Sequence, residues 1–236
     1  GDASVFGLPS RWKGVAIRKR TGYVPEEHHI YDWMTVGEVT RFVRAFYPAW
    51  DDLECQTLLS RFGLEIDKKV RNLSKGMVAK LALTLALAHK PELLVLDEPT
   101  SGLDPIVRRD FLGSMVRLIQ EEGRTVFVSS HLIAEIEGVV DRVAIMRSGK
   151  ILLVEDVGTL KEMTARVRLV FAEPPEGGEV AGALSFARNG RVWEAVIGDW
   201  SEEKGRELRA RLAPTSMEVE RLGLEDVFIA YVGKSE

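Results

Sequence analysis

The chain alternates between short, continuous apolar runs and longer segments in which apolar residues recur every three or four positions. The clearest run extends from Leu93 to Leu96, and a second β-rich run extends from Thr125 to Ser129. Uninterrupted runs of this length are typical of strands that are buried on both faces of a parallel sheet. The pattern therefore predicts an α/β fold.

Segments with helical spacing lie between these runs, and each begins at a residue that can cap a helix. They are residues 35–47 with Thr35, 51–63 with Asp51, and 74–88 with Ser74. A hydroxyl or carboxylate at such a position accepts a hydrogen bond from the first turn of the helix. The pattern predicts a helix over each of these segments.

Alternating polar and apolar positions replace these patterns from about residue 164 onward. The alternation predicts strands over 166–171, 183–187, 191–197 and 217–221, with helices over 201–212 and 224–232. The residues predicted to form an apolar core there are Val167, Leu169, Val192, Trp193, Val196, Val219, Val227 and Phe228. We therefore expect two domains, residues 1–160 and a small α+β accessory domain over residues 164–236.

Side chains that can do chemistry follow the two apolar runs directly. Asp97 and Glu98 end the first run, and His131 follows the second. The carboxyl ends of parallel strands share one edge of the sheet, and ligands bind there in open α/β folds. One carboxylate can hold a divalent cation and the other can take a proton. A carboxylate pair at a strand end can also be a simple contact with solvent, so the surrounding motifs decide between the two interpretations.

A phosphate-binding helix start is predicted at Leu73-Ser74-Lys75-Gly76-Met77. Ser74 is the predicted cap, and Gly76 leaves the backbone N–H groups of the first turn open to a ligand. Free N–H groups at a helix start attract phosphate.

Four segments in this order resemble the nucleotide-binding domain of ATP-binding cassette (ABC) transporters. They are Leu73 to Met77 as the signature motif, Leu93 to Glu98 as the Walker B strand with its catalytic glutamate, Ser101 to Asp104 as the D-loop, and His131 as the switch histidine. Each motif alone is a weak match, whereas four in order at family-like spacing are specific. The resemblance covers about residues 1–160 and implies a P-loop NTPase-like ABC ATPase domain, of the type found in bacterial exporters. It also implies that the helices over about residues 30–90 form the helical subdomain of that domain.

The resemblance implies roles for the residues that face the nucleotide. Glu98 would orient and deprotonate the attacking water, and His131 would contact the γ-phosphate. The signature residues 74–76 of one chain would contact ATP bound to a second ABC ATPase domain, in a head-to-tail dimer. Asp104 of the D-loop belongs to the same nucleotide-binding set, together with Ser74, Lys75 and Gly76.

Two further residues are implied to act on the Mg²⁺ ion that accompanies ATP. Asp97 would hold the ion through its water shell. Glu26 stands where the Q-loop of the family carries Gln, and a carboxylate there is still an oxygen ligand suited to Mg²⁺. The expected cofactors are therefore ATP and Mg²⁺.

The phosphate-binding loop of the family, G-x-x-x-x-G-K-[ST], fits no segment of the 236 residues. We therefore expect a chain that lacks the N-terminal Walker A segment and is inactive on its own. The alternative is a non-catalytic pseudo-ATPase, which would act as a partner or regulatory subunit of an ABC complex.

The implied function is ATP hydrolysis coupled to export through a separate membrane permease. It would place the chain in the cytoplasm, on the inner face of the cell membrane. Tyr31, Trp33 and Met34 would either cap a subdomain core or form the groove that receives a permease helix; the sequence leaves both open.

Composition limits the other partners. No stretch approaches 18 consecutive apolar residues, so the sequence predicts no membrane span. With 32 basic and 36 acidic residues, the net charge of −4 favours no nucleic-acid partner. A soluble ABC ATPase acting on ribosomes or DNA is a weaker third interpretation, since such proteins typically carry tandem cassettes or long coiled insertions.

Overall fold

The computed structural model describes residues 2–175, 177 and 179–233, and for residues 117–122 it describes the backbone alone. Contacts between described residues divide the chain into two compact units, with the division after His131. The boundary predicted between residues 160 and 164 stays a prediction, and residues 1, 176, 178 and 234–236 of the predicted domains lie outside the described part. Among the described residues, no helix is both long enough and apolar enough to cross a membrane.

The first unit contains a parallel sheet, a β-hairpin and several helices. In chain order its elements are β1 (Ser4–Val5), β2 (Leu8–Pro9), α1 (Ser10–Arg18), β3 (Thr21–Val24), α2 (Val36–Arg44), α3 (Asp52–Arg61), a 3-10 helix (Val70–Asn72), α4 (Lys75–Leu87), β4 (Leu93–Asp97), α5 (Pro105–Glu122) and β5 (Thr125–Ser129). The predicted strands and helices of this region are confirmed, and so is the α/β class.

The strands of the parallel sheet lie in the order β3-β4-β5. On one face, Leu94 and Leu96 are at most 2% exposed. α4 packs against β3, and Gly22 permits this approach because a Cβ there would lie 2.3 Å from the carbonyl oxygen of Ala86. The prediction of burial on both faces is wrong for the described residues, since Phe127 on the other face is 63% exposed.

Side-chain caps begin the helices at the predicted residues. The Thr35 hydroxyl accepts a hydrogen bond from the Glu38 N–H, and the Glu38 carboxylate accepts one from the Thr35 N–H, which forms a capping box. Asp51 and Ser74 each accept a bond from the third residue of the helix that follows, at 3.0 and 3.3 Å. These caps fix where α2, α3 and α4 begin.

The start of α4 packs tightly against the start of α5. A Cβ at Gly76 would lie 2.3 Å from Cγ1 of Val107. The β-branched Val107 side chain has little rotamer freedom in a helix, so it cannot easily move aside. Glycine at position 76 therefore has a structural reason beside the ligand-binding one predicted from the sequence.

The second unit combines a hairpin, an antiparallel sheet and short helices. In chain order its elements are α6 (Ile133–Ile136), β6 (Arg142–Arg147), β7 (Lys150–Asp156), α7 (Val157–Glu162), β8 (Ala165–Val170), β9 (Ala183–Asn189), β10 (Val192–Ile197), α8 (Glu202–Leu212), β11 (Ser216–Arg221) and α9 (Leu224–Val232). The antiparallel sheet has the order β11-β8-β10-β9. The strands and helices predicted after residue 164 are confirmed.

Two apolar clusters, rather than the predicted single centre, stabilise the second unit. Val167, Leu169 and Trp193 belong to one cluster, whereas Val196 and Val227 belong to the other. Alternate residues of a strand point to opposite faces of its sheet, so neighbours along β10 enter different clusters.

One residue of the predicted core is exposed. Val219 was expected to be buried, but its side chain is 45% exposed. Its strand, β11, forms an edge of the sheet and is paired on one side only, with β8. An edge position leaves the residue with fewer neighbours than a central strand would give it.

The second cluster joins the hairpin region to the end of the chain. Ile145 of β6 and Leu160 of α7 lie in it together with Val196 and Val227. A chain that stopped after residue 161 would therefore keep three of the eight buried residues described for this cluster and lose the other five.

We expect Gly76→Ala to lower the free energy of unfolding by about 1–3 kcal/mol, because the added methyl overpacks against Val107. The matched control is Gly113→Ala within α5, where a Cβ meets nothing within 4 Å. That change should stabilise the helix by about 0.5–1 kcal/mol, since alanine is the better helix former. Urea unfolding measures both, and equal stabilities of the two variants would contradict the packing described.

We expect Leu160→Ala to lower the free energy of unfolding by about 2–5 kcal/mol, because the side chain is fully buried and the mutation leaves a cavity. Leu152→Ala makes the same change at a residue of β7 that is 43% exposed, and should cost about 1 kcal/mol or less. Thermal or urea unfolding compares the two. A loss at Leu160 no greater than that at Leu152 would show that α7 does not contribute to this core.

Candidate active site at the carboxyl edge of the parallel sheet

The predicted catalytic and metal-binding side chains lie at one edge of the parallel sheet. Glu26 follows β3, Asp97 and Glu98 stand at the end of β4, and His131 follows β5. Because the strands are parallel and adjacent, their carboxyl ends meet at this edge. The convergence predicted from the sequence is therefore present in the structure.

Glu98 and His131 are in direct contact. The Nδ1 atom of His131 lies 2.7 Å from Oε2 of Glu98. An ionised carboxylate only accepts hydrogen bonds, so Nδ1–H is the donor when Glu98 is charged. The Glu98 side chain is 20% exposed and that of His131 is 62% exposed. Glu98 is the proton acceptor of this pair, and the His131 ring holds the Glu98 carboxylate in one orientation.

A serine that sequence reasoning missed connects the two carboxylate residues. The Ser129 hydroxyl donates to Oδ1 of Asp97 at 2.7 Å and accepts from the Glu98 N–H at 3.0 Å. Asp97 and Ser129 are direct partners in the register of β4 and β5. The available sequence signal was the change from apolar residues to Ser129-Ser130 before His131.

The backbone turns sharply at Glu98, whose φ is 44°. L-residues disfavour this left-handed region by about 1–2 kcal/mol, because Cβ approaches the following carbonyl oxygen. The Glu98 carbonyl accepts a bond from the Ser101 N–H at 2.9 Å, which closes the turn. The D-loop then leads into α5, where Asp104 Oδ1 accepts from the N–H groups of Ile106 and Val107, both at 3.1 Å. Asp104 thus caps α5 in this chain.

A second serine links the loops after β3 and β4. The Ser101 hydroxyl donates to Oε1 of Glu26 at 3.3 Å. Sequence reasoning placed Ser101 in the D-loop but gave it no partner. The contact holds the Glu26 loop beside the turn that carries Glu98.

The signature residues lie beside the D-loop of their own chain. Ser74 and Lys75 are exposed at the start of α4. The Nζ atom of Lys75 lies 4.0 Å from the position that a Cβ would take if Gly102 of the D-loop had one. Among the described residues, no hydrogen bond joins residues 74–76 to the Glu98–His131 pair. The structure therefore brings Glu26, Asp97, Glu98 and His131 together and leaves the signature as a separate exposed patch.

The oxygen atoms at the edge suit Mg²⁺ better than a transition metal. Within the described part of the chain, no group of three or more His, Cys, Asp and Glu side chains is arranged as a metal site. Mg²⁺ usually keeps several waters and takes one or two carboxylates together with phosphate oxygens. Asp97 is exposed and has an oxygen, Oδ2, beyond the one bound by Ser129, so it fits that role.

The loop after Glu26 carries a histidine and an aromatic surface. Burial lowers the pKa of the His28 ring, and a hydrogen bond with the Pro25 backbone opposes this shift. Tyr31 and Trp33 are 52% and 59% exposed, and Tyr31 packs edge-on against Phe42 with ring centroids 5.7 Å apart. Their exposure favours the surface interpretation over the core interpretation.

Comparison with known proteins identifies the chain as a relative of ABC ATPases. The model of the ABC transporter family matches residues 9–101. YtrB, an ABC transporter ATP-binding protein of Bacillus subtilis, is 28% identical over 92% of this chain and 74% of its own length. The bacitracin transport ATP-binding protein BcrA of Bacillus licheniformis is 47% identical over 64% of this chain, which spans half the length of BcrA.

A solved structure shows the same fold. The ATP-binding cassette MJ0796, in a dimeric post-hydrolysis state bound to ADP and Pi, has a TM-score of 0.58 at 20% identity, over 66% of this chain and 73% of that one. At this identity the likeness establishes the ABC ATPase form of the P-loop NTPase fold and nothing further. The family match over residues 9–101 and these relatives show that the part of the chain they cover belongs to the family of ABC transporter ATP-binding subunits.

Proposed function

We propose that the chain is the ATP-binding and ATP-hydrolysing subunit of an ABC exporter, with Glu98 as the general base. One observation carries the proposal: Glu98 and His131 are 2.7 Å apart at the same sheet edge as Asp97. A carboxylate that can take a proton, beside one that can face a cation, suits hydrolysis of the phosphoanhydride bond of ATP.

The reaction needs a water aligned on the γ-phosphorus and stabilisation of the charge that develops there. Glu98 accepts a hydrogen bond from the attacking water and takes its proton as the water oxygen bonds to the γ-phosphorus. The bond between that phosphorus and the β–γ bridging oxygen breaks, and ADP leaves with this oxygen. His131 donates to the carboxylate from Nδ1–H, and only the doubly protonated ring also donates from Nε2–H to a γ-phosphate oxygen. Positioning and electrostatics supply most of the rate in such reactions.

Asp97 and Glu26 are the residues that would hold the metal. Mg²⁺, when bound, neutralises part of the phosphate charge. Asp97 faces solvent at the end of β4, and the Ser129 bond holds one of its oxygens in place. Glu26, exposed and tied to Ser101, would supply a further oxygen from the β3 loop. MJ0796, which shares the fold, binds ADP and Pi, which supports nucleotide binding by this chain.

A second ABC ATPase domain is the proposed partner for the signature patch. Ser74 and Lys75 are exposed at the start of a 13-residue helix. Backbone N–H groups and a lysine at a helix start suit a phosphate group that another chain presents. MJ0796 is dimeric, which supports pairing with a second domain.

A membrane permease is the proposed partner for the aromatic surface formed by Tyr31, Trp33, Phe42 and Phe46, whose rings are 42–63% exposed. Exposed aromatic clusters of this kind are typical of protein interfaces. BcrA acts in bacitracin transport, which supports a role in export. Such a complex would hold the chain at the cytoplasmic face of the membrane.

We propose that residues outside these 236 supply the phosphate-binding loop, because the sequence contains no such motif. The open face of the parallel sheet supports this, since Tyr23 and Phe127 are 55% and 63% exposed on it. Parallel sheets are normally covered on both faces. A further element of the assembly would cover these side chains.

The alternative is a non-catalytic subunit that lends its signature patch to an intact ATPase. The missing motif is the observation that favours it. If that alternative holds, ATP turnover of the assembled complex should survive Glu98→Gln and depend on the partner's own carboxylate.

The 236-residue chain alone should show no ATP turnover above background, because no loop in it provides the backbone nest and lysine that hold the β- and γ-phosphates. Phosphate release from purified chain with Mg²⁺ and ATP measures this. Turnover that disappears in Glu98→Gln would prove the expectation wrong.

In the product of the whole gene, Glu98→Gln should lower the rate of Mg²⁺-dependent ATP hydrolysis by about 10²–10⁴, the usual contribution of a positioned general base. The matched control is Glu92→Gln, the same change at the residue that precedes β4. Glu92 lies at the amino end of this strand, away from the carboxyl edge, and pairs with Arg20. The control should retain the wild-type rate within about twofold, since surface ion pairs contribute little. Equal rates for the two variants would remove Glu98 from the mechanism.

A further inference from the structure

We propose that Ser129 is a positioning residue, which holds Asp97 and Glu98 in the geometry that hydrolysis requires. The inference rests on the proposed function of Glu98 as general base. In that mechanism Ser129 contacts neither the attacking water nor the nucleotide. It acts through its contacts with Asp97 and Glu98.

One hydroxyl group makes both contacts. Ser129 Oγ donates to Asp97 Oδ1 at 2.7 Å and accepts from the Glu98 N–H at 3.0 Å. A hydroxyl has one donor and two acceptor sites, so both bonds form at once. The strand register places Ser129 directly opposite Asp97, at the last paired position of β4 and β5. Alanine at this position would remove both bonds, whereas threonine would keep the hydroxyl.

The Glu98 backbone depends on this support. Its φ of 44° lies in the left-handed region, where residues with a Cβ stay only when their surroundings hold them. Among the described residues, two bonds hold it: the Glu98 N–H donates to Ser129, and the Ser101 N–H donates to the Glu98 carbonyl at 2.9 Å. Ser129 therefore provides a backbone anchor of the turn.

The direction of the Glu98 carboxylate follows from the turn that carries it. Its Oε2 reaches His131 at 2.7 Å, a distance that leaves little tolerance for displacement. A shift of about 1 Å in a reacting group can cost about 100-fold in rate. Loss of Ser129 should therefore reduce the chemical step more than nucleotide binding.

The kinetic test compares Ser129→Ala, Ser129→Thr and Ser114→Ala in the product of the whole gene. Ser114 lies in α5, and its hydroxyl donates to the Asp110 carbonyl at 2.8 Å, so its loss removes a serine bond away from the edge. We expect Ser129→Ala to lower kcat by about 10- to 100-fold with KM for ATP changed by less than about threefold. Ser129→Thr and Ser114→Ala should stay within about threefold of wild type.

A double variant separates positioning from general destabilisation. When Glu98 is already replaced by Gln, adding Ser129→Ala should lower kcat by a smaller factor than it does in the wild-type protein, because the part of its effect that acts through the Glu98 carboxylate is already lost. Full additivity of the two losses would overturn the proposal. So would a Ser129→Ala protein whose kcat lies within twofold of wild type.

A second readout needs no ATPase activity. In the 236-residue chain, the Glu98 amide should exchange with solvent about tenfold faster or more in Ser129→Ala, and close to the wild-type rate in Ser129→Thr. If the whole gene product has no turnover that depends on Glu98, the proposed function fails and this exchange alone decides the role of Ser129. Unchanged exchange in Ser129→Ala would then overturn it.

Discussion

Parallel pairing of β3, β4 and β5 is the constraint on which the candidate site depends. The three strands are separated by long stretches of chain, yet their carboxyl ends meet because each runs in the same direction beside its neighbour. This pairing brings the Glu26 loop, Asp97 with Glu98, and His131 to one edge. Gly22 contributes to it, since the absence of a side chain allows α4 to lie against β3 and bury Leu94 and Leu96.

The sheet brings the residues of the candidate site to one edge, and hydrogen bonds of two serines then fix their positions. Ser129 joins the Asp97 side chain to the Glu98 backbone, and Ser101 joins the Glu26 side chain to the turn after β4. The left-handed turn at Glu98 costs free energy, and such strain typically occurs where function needs an unusual geometry. The site thus consists of loops that serine hydroxyl groups join by hydrogen bonds at the carboxyl edge of the parallel sheet.

Local patterns predicted the strands, the helix caps and the position of the catalytic candidates, because apolar runs and capping residues act over a few positions. Thr35, Asp51 and Ser74 cap helices as expected. The serine bonds were missed because they depend on strand register and on the Glu98 turn, which no spacing in the sequence reveals. Burial of Val219 was predicted wrongly for a similar reason, since alternation shows which face a residue takes but not that β11 is an edge strand.

The most direct test is a crystal structure of the Glu98→Gln variant of the whole gene product with ATP and Mg²⁺, since this change should preserve the bound nucleotide. If the carboxyl edge is the hydrolytic site, the terminal phosphate will lie within hydrogen-bonding distance of the His131 ring, with the metal beside Asp97. ATP bound with its terminal phosphate away from this edge, and with His131 and Asp97 still facing solvent, would contradict it.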